Sequence, residues 1–158
     1  MQGNAKVLEQ LNLALKGEIT AVLQYMVQAE LCDNWGYPRL AALTKRRAVE
    51  EMHHAEALIE RIIFLDGTPN VMLSVTPNIG QDVQHQLEAG LVDETAAIKE
   101  YNDASAICRE VGDTGTRELF DRLIPDEERH ADFLESQISA IQAMGMENYL
   151  SQQVRKEE

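Results

Sequence analysis

Neither of the two cysteines, Cys32 and Cys108, belongs to a C-x-x-C pair, which excludes the usual zinc and dithiol redox motifs. Both are expected to be small core residues in a reducing compartment, so the expected location is cytoplasmic. Aromatic residues are scarce, at 5%, while Ala, Leu, Glu and Gln are plentiful, a balance that favours helix over strand. No apolar run approaches the roughly 20 residues of a membrane-spanning helix. The first residues lack the charged-then-apolar pattern of a signal segment. Basic residues are few as well: 14 Lys and Arg stand against 27 Asp and Glu, a net charge of −13. That deficit argues against a nucleic-acid partner and is compatible with attraction of metal cations. With 158 residues, the chain is expected to form one domain over 1–158 with a full core.

Stop signals divide the sequence. A first helical stretch is expected from about Lys6 to Asn34, ending at Asn34-Trp35-Gly36. Pro38 stands where proline is tolerated, near a helix start, and a second stretch runs to Asp66 before Gly67-Thr68-Pro69-Asn70. Val71 to Gly80 has no helical period and forms a connector. A third stretch runs from about Gln81 to Val111 and closes at Gly112. Asp113 or Thr114 caps a fourth that runs to Met144, and Gly145 ends it. Met146 to about Gln153 adds a short fifth helix. Two tightly turned helix pairs and one longer middle connection describe an all-α four-helix bundle with one crossover.

On a helical wheel each long helix carries acid on its apolar face. Glu18 shares a face with Val7, Leu11, Leu15 and Tyr25; Glu94 shares one with Val83, Leu87, Leu91 and Tyr101. A lone carboxylate in an apolar stripe is costly and requires partners. The second helix offers two overlapping E-x-x-H readings. Glu51 and His54 lie with Leu40, Leu58, Ile62 and Leu65, whereas Glu50 and His53 fall on the polar side with Arg46, Glu60 and Arg61. On the fourth helix, Glu127 and His130 lie with Phe120, Leu123, Leu134 and Ile138. Glu18 to Glu51 and Glu94 to Glu127 are both 33 positions apart, and each leading Glu has a Tyr seven residues on. The chain therefore reads as two equivalent hairpins that bring one Glu and one E-x-x-H to the same depth. Four carboxylates and two imidazoles suit two Fe(II) or Mn(II) ions better than zinc. Glu51 and Glu127 are expected to bridge, with Glu18/His54 terminal on one metal and Glu94/His130 on the other. Tyr25 is a candidate for electron or radical transfer beside them.

The chain also resembles the bacterioferritin family along nearly its whole length. The resemblance rests on Glu18…Tyr25, Asn34-Trp35-Gly36, Glu51-Met52-His53-His54, Glu60 to Leu65, Asn78-Ile79-Gly80, Glu127…His130 and Gly145 to Leu150. It implies a hollow shell of 24 subunits that oxidises Fe(II) with O2 or peroxide at a di-iron centre and stores ferric mineral. It also implies haem b at two-fold interfaces, held by one methionine from each subunit, here Met52, and a small ferredoxin as reductant of the store. Independently, Ala41, Ala48, Ile59 and Ile63 flank Met52 in a second apolar stripe, as a subunit contact requires. Three departures bear on this reading. Arg46 replaces a histidine that, with an acid at position 50, forms an inner-surface iron site in some members, leaving only Glu50. Arg47 lies one turn before Glu51 and either pairs with a carboxylate or screens iron access. Pro125 interrupts the fourth helix two residues before Glu127, loosening that ligand or being absorbed as a kink.

The leading expectation is an iron-storage ferroxidase. A haem-binding shell subunit with an impaired centre, co-assembling with an active partner, is the alternative that the three departures motivate. A third reading is a smaller di-metal redox enzyme related to rubrerythrin or manganese catalase. Rubrerythrins normally carry a C-x-x-C iron module, which this chain lacks.

Overall fold

The computed structural model describes residues 1–156 and contains four long helices and one short one. Helix α1 spans Ala5–Asn34, α2 Pro38–Phe64, α3 Val83–Val111, α4 Thr114–Met144 and α5 Met146–Gln153. The expected boundaries hold to within about two residues at each end. Local chemistry explains them. The Asn4 side chain accepts from the Lys6 amide at 2.9 Å and starts α1. Pro38 occupies the first turn of α2, where its missing N–H costs nothing. Asp82 accepts from the His85 amide at 2.9 Å, and Asp113 from that of Thr116 at 2.9 Å, starting α3 and α4. Gly112 takes the left-handed conformation (φ 77°) that lets α3 turn directly into α4. Helix α4 runs unbroken through Pro125. Absorption is thus the outcome for that residue, at the expense of one backbone hydrogen bond.

α1 packs chiefly on α2 and α3 on α4, and the two hairpins meet mainly through α1 and α3. Their interior consists of two apolar halves. One gathers Val7, Leu11 and Leu15 of α1 with Leu58, Ile62, Phe120 and Leu123. The other gathers Cys32, Leu40, Val83, Leu87, Leu134 and Tyr149. Along every long helix, the buried acidic residue falls between its contributions to the two halves.

The crossover between α2 and α3 is held by a polar ladder on α1. Asn12 accepts from the Asn70 amide at 2.7 Å, Thr20 from that of Ser74 at 3.0 Å, and Gln24 from that of Asn78 at 2.8 Å. Gln28 donates to the Ile79 carbonyl at 3.0 Å. These side chains recur every four or eight residues, so one edge of α1 supplies partners to a strap that has no secondary structure of its own.

Arg61 closes the opposite corner. Its Nη2 donates to Asp113 Oδ1 and its Nε to Thr116 Oγ1, both at 2.8 Å, and its guanidinium covers the Phe64 ring. The Arg61–Asp113 pair is largely buried, whereas the Lys99–Asp103 pair at 2.6 Å is open to solvent. Arg61→Met is expected to cost about 2 kcal/mol, the scale of losing charge-assisted bonds that leave Asp113 unpaired. That corresponds to roughly 4–8 °C in thermal midpoint by calorimetry. Lys99→Met should leave the midpoint unchanged; equal losses would show that burial does not set the value of these pairs.

Candidate metal centre

Six side chains converge midway along the bundle, each from a position where its helix turns an apolar face inward. Glu18 comes from α1, Glu51 and His54 from α2, Glu94 from α3, and Glu127 and His130 from α4. All six are buried, with Glu51, Glu127 and His130 at 1–2% exposure. His54 Nδ1 lies 3.0 Å from Glu51, 2.9 Å from Glu127 and 3.5 Å from Glu18. His130 Nδ1 lies 3.0 Å from Glu51, 3.2 Å from Glu127 and 3.7 Å from Glu94. The two imidazoles stack nearly parallel with centroids 6.0 Å apart.

These distances sort the carboxylates. Glu51 and Glu127 each approach both histidines, Glu18 only His54, and Glu94 only His130. Two overlapping donor groups result, Glu18/Glu51/His54/Glu127 and Glu51/Glu94/Glu127/His130, each with its atoms within 4.8 Å of one another. The shared members are the two expected bridges. Both Glu51 oxygens, Glu127 Oε1 and His54 Nδ1 are sealed from solvent without a hydrogen bond, because the close contacts have the wrong angles. Such orphaned acceptors and an orphaned imidazole nitrogen, all directed at one point, fit a pair of oxygen-preferring divalent cations.

The outer contacts include residues that the wheel did not bring to the site. Asp126 Oδ2 lies 3.2 Å from His54 Nε2, and Glu50 Oε2 lies 2.8 Å from His130 Nε2. Each histidine thus turns Nδ1 inward and holds Nε2 on a carboxylate, the arrangement that fixes tautomer and ring orientation in metal-binding histidines. Glu50 is half-exposed, as its polar position requires, yet its side chain spans to the neighbouring helix. His53 does remain outside, paired with Glu56 at 3.1 Å. The tyrosines are exchanged between hairpins. Tyr25 donates to Glu94 at 2.6 Å, and Tyr101 donates to Glu18. The seven-residue Glu–Tyr spacing signalled two equivalent tyrosines; their crossed pairing needed the bundle.

Arg47 does not join the six. Its guanidinium stands over the Phe133 ring, and its Nε is 3.8 Å from Glu50, too far for a hydrogen bond. Met52 projects to the outside of α2, 41% exposed, with the exposed Ile63 on the same face. Ala48, expected in that outer stripe, is instead buried within the subunit, and Ala41 packs on the second apolar half. Ile59 likewise packs against the first apolar half, so the outward strip is narrower than the wheel indicated and centres on Met52 and Ile63.

Burial governs the protonation of the metal-free cluster. It raises Glu18, raises Glu94 well above the carboxylate range, and lifts Glu51 to about 8. Burial alone would lower His54, but the carboxylates of Glu127, Glu18 and Glu51 crowded around its Nδ1 overcome it and raise the imidazole well above its ordinary value.

Comparison with known proteins gives consistent matches. A model of the ferritin-like domain matches residues 8–144. The bacterioferritin of Brucella melitensis is 45% identical over 149 residues, 94% of this chain and 92% of that one. The bacterioferritin of Rhodobacter capsulatus is 42% identical over the same shares, and that of Mycolicibacterium paratuberculosis is 40% identical over 156 residues, 99% and 98% of the two chains.

The raised Glu51 and His54 values set a sign for stability. Between about pH 5 and 8 the folded, metal-free protein holds protons that the unfolded chain releases, so stability falls as pH rises through this window. Divalent metal displaces those protons, and its stabilising effect grows over the same range. Thermal melts of chelator-treated protein should therefore give a lower midpoint at pH 8 than at pH 5.5, and Mn(II) should narrow the gap. Glu51→Gln should flatten the metal-free profile; a wild-type midpoint that rises with pH would contradict this electrostatic account.

Proposed function

The chain belongs to the bacterioferritin family, and on that premise we propose that it stores iron and oxidises Fe(II) at the six-residue centre. The observation that carries this reading is the pair of donor groups sharing Glu51 and Glu127. Two Fe(II) ions are the substrate. Glu18 and His54 hold one from the side, Glu94 and His130 hold the other, and the shared carboxylates keep the two close enough to give up electrons together. The balanced step is 2 Fe(II) + O2 + 2 H⁺ → 2 Fe(III) + H2O2; with peroxide as oxidant, 2 Fe(II) + H2O2 + 2 H⁺ → 2 Fe(III) + 2 H2O. Carboxylates suit both oxidation states, since hard oxygen donors tighten on Fe(III) without rearranging the helices.

The protein's own groups manage position and protons. Asp126 and Glu50 hold the imidazoles with Nδ1 inward. Tyr25 and Tyr101 clamp the terminal carboxylates, and the Tyr25 hydroxyl, aimed at Glu94, gives that phenol a proton acceptor if it supplies an electron. Product Fe(III) leaves for a cavity enclosed by 24 copies of the chain, and a small ferredoxin returns electrons for release. The whole chain acts as one domain in a cytoplasmic setting, consistent with its two free, buried cysteines. Among the described residues, no helix is long and apolar enough to cross a membrane.

Met52 would hold haem b, one thioether from each of two subunits. The fit rests on a soft sulfur donor standing among exposed apolar side chains on the outer face of α2. When bound, haem supplies one-electron transfer between solvent and store.

Stopped-flow mixing with about two Fe(II) per subunit should give a fast oxidation phase. Glu51→Ala is expected to slow it by more than about 100-fold, and Glu50→Gln by about 10- to 100-fold through misorientation of His130. Absence of the fast phase in the wild type would favour a haem-binding subunit that depends on an active partner. Separately, Met52→Leu should abolish haem absorbance while retaining the fast phase; unchanged haem would remove Met52 from its assigned role.

A further inference from the structure

A cavity of about 40 Å³ lies beside Tyr25, with none of the four buried glutamates in its lining. Its walls are largely hydrocarbon, from Leu40, Leu43, Leu87 and Phe133. Among its polar lining residues, two carry buried nitrogen donors without partners. The first is Arg47, whose Nη1 is sealed from solvent and hydrogen-bonded to nothing. The second is Gln86, a 94%-buried side chain (6% exposed) whose Nε2 is likewise unsatisfied. The Cys32 thiol donates to Gln86 Oε1 at 3.2 Å, which leaves the Nε2 end of the amide without a partner. The carboxylate nearest to hand offers Arg47 little, since Glu50 Oε2 is 3.8 Å from its Nε and is already engaged by His130 at 2.8 Å.

A buried guanidinium N–H and a buried amide N–H without acceptors are costly, and the cost rises where one of them is charged. Water would satisfy the hydrogen bonds but add no negative charge to that of Glu50, which stands 3.8 Å from Nε and is shared with His130. An anion satisfies both. The space admits only a small one, since a single water already needs about 10–15 Å³. One positive charge and apolar walls exclude sulfate or phosphate, whose dehydration they cannot offset. We infer that Arg47 and Gln86 form a binding site for a small, weakly hydrated monovalent anion of the bromide, chloride or nitrate kind. The site is independent of the oxidation chemistry proposed above and is distinct from the di-metal donors.

Crystals of the intact particle grown in bromide test it directly. The expected result is an anomalous peak within hydrogen-bonding reach of Arg47 Nη1 and Gln86 Nε2. Ordered water in the cavity under those conditions, or an empty cavity, would overturn the inference with the wild-type protein alone. In solution, chloride resonance broadening by the wild type should exceed that by Arg47→Met, and nitrate should suppress the difference. Gln86→Leu should weaken the same signal, so the conclusion does not depend on one variant folding. Bromide retained in the cavity of Arg47→Met would likewise refute the role of the guanidinium.

Discussion

Everything in this bundle is arranged around the burial of four carboxylates and two imidazoles halfway along it. No apolar core accepts such a set without compensation. At the inner ring, the cluster keeps protons on Glu51 and His54 when no metal is present, which reduces its net charge. Farther out, every terminal group has a fixed partner: Tyr101 on Glu18, Tyr25 on Glu94, Asp126 on His54 and Glu50 on His130. Glu51 and Glu127 have less support, for both Glu51 oxygens and one of Glu127 lack hydrogen bonds, and the other Glu127 oxygen meets His130 Nδ1 at 3.2 Å. The imbalance is informative. A polar network selected for stability would satisfy its most buried members first, whereas a metal site leaves unsatisfied the atoms that the ions will occupy.

The two apolar halves make that cost sustainable. Phe120, Leu11, Leu15, Leu58 and Ile62 on one side of the centre are fully buried, and each fully buried side chain of this size contributes roughly 1.5–3 kcal/mol. The centre is thus a thin polar layer clamped between hydrophobic ones. The clamp must not slide, and the crossover restrains it. Each rung from Asn12 to Gln28 ties the strap to a particular turn of α1, so the register of α3 against α1 is set by side-chain bonds as well as by packing. A slip of one turn would move Glu94 about 5.4 Å from Glu18 and break the pairing of both tyrosines.

Much of this was legible in the sequence because helices have a fixed period. The 33-residue match and the apolar neighbours of Glu18, Glu51, Glu94 and Glu127 locate four acids on inward faces without any coordinates. Boundaries were equally readable, since Asn4, Pro38, Asp82, Gly112 and Asp113 act within a turn of their own position. What the wheel missed shares one cause: it treats each helix alone. Glu50 belongs to the polar side of α2, yet its carboxylate reaches His130 on α4. Asp126 also escaped notice, although it is adjacent to Glu127, because a wheel shows direction and not which neighbour stands there. Ala48 was assigned outward by angle and is buried within the subunit. The ladder on α1 had a visible signal in its four-residue spacing, but a polar edge on a helix ordinarily means solvent.

The segment from Arg47 to His54 shows how much chemistry two helical turns can separate. Successive residues step by about 100°, so neighbours in sequence address different surroundings. Arg47 faces a small apolar cavity, Glu50 leans across to the far side of His130, Glu51 and His54 enter the buried donor cluster, and Met52 stands outside on the exposed face. An aligned order of such residues would have put an arginine charge among ligands meant for cations. The turn instead keeps the guanidinium out of the donor set, over Phe133 and beside Glu50, while leaving the six inward donors intact. Arg47 is therefore compatible with the six-donor cluster for a geometric reason: four positions before Glu51 it shares that residue's face but lies roughly 6 Å along the axis, where Phe133 and the cavity receive its guanidinium.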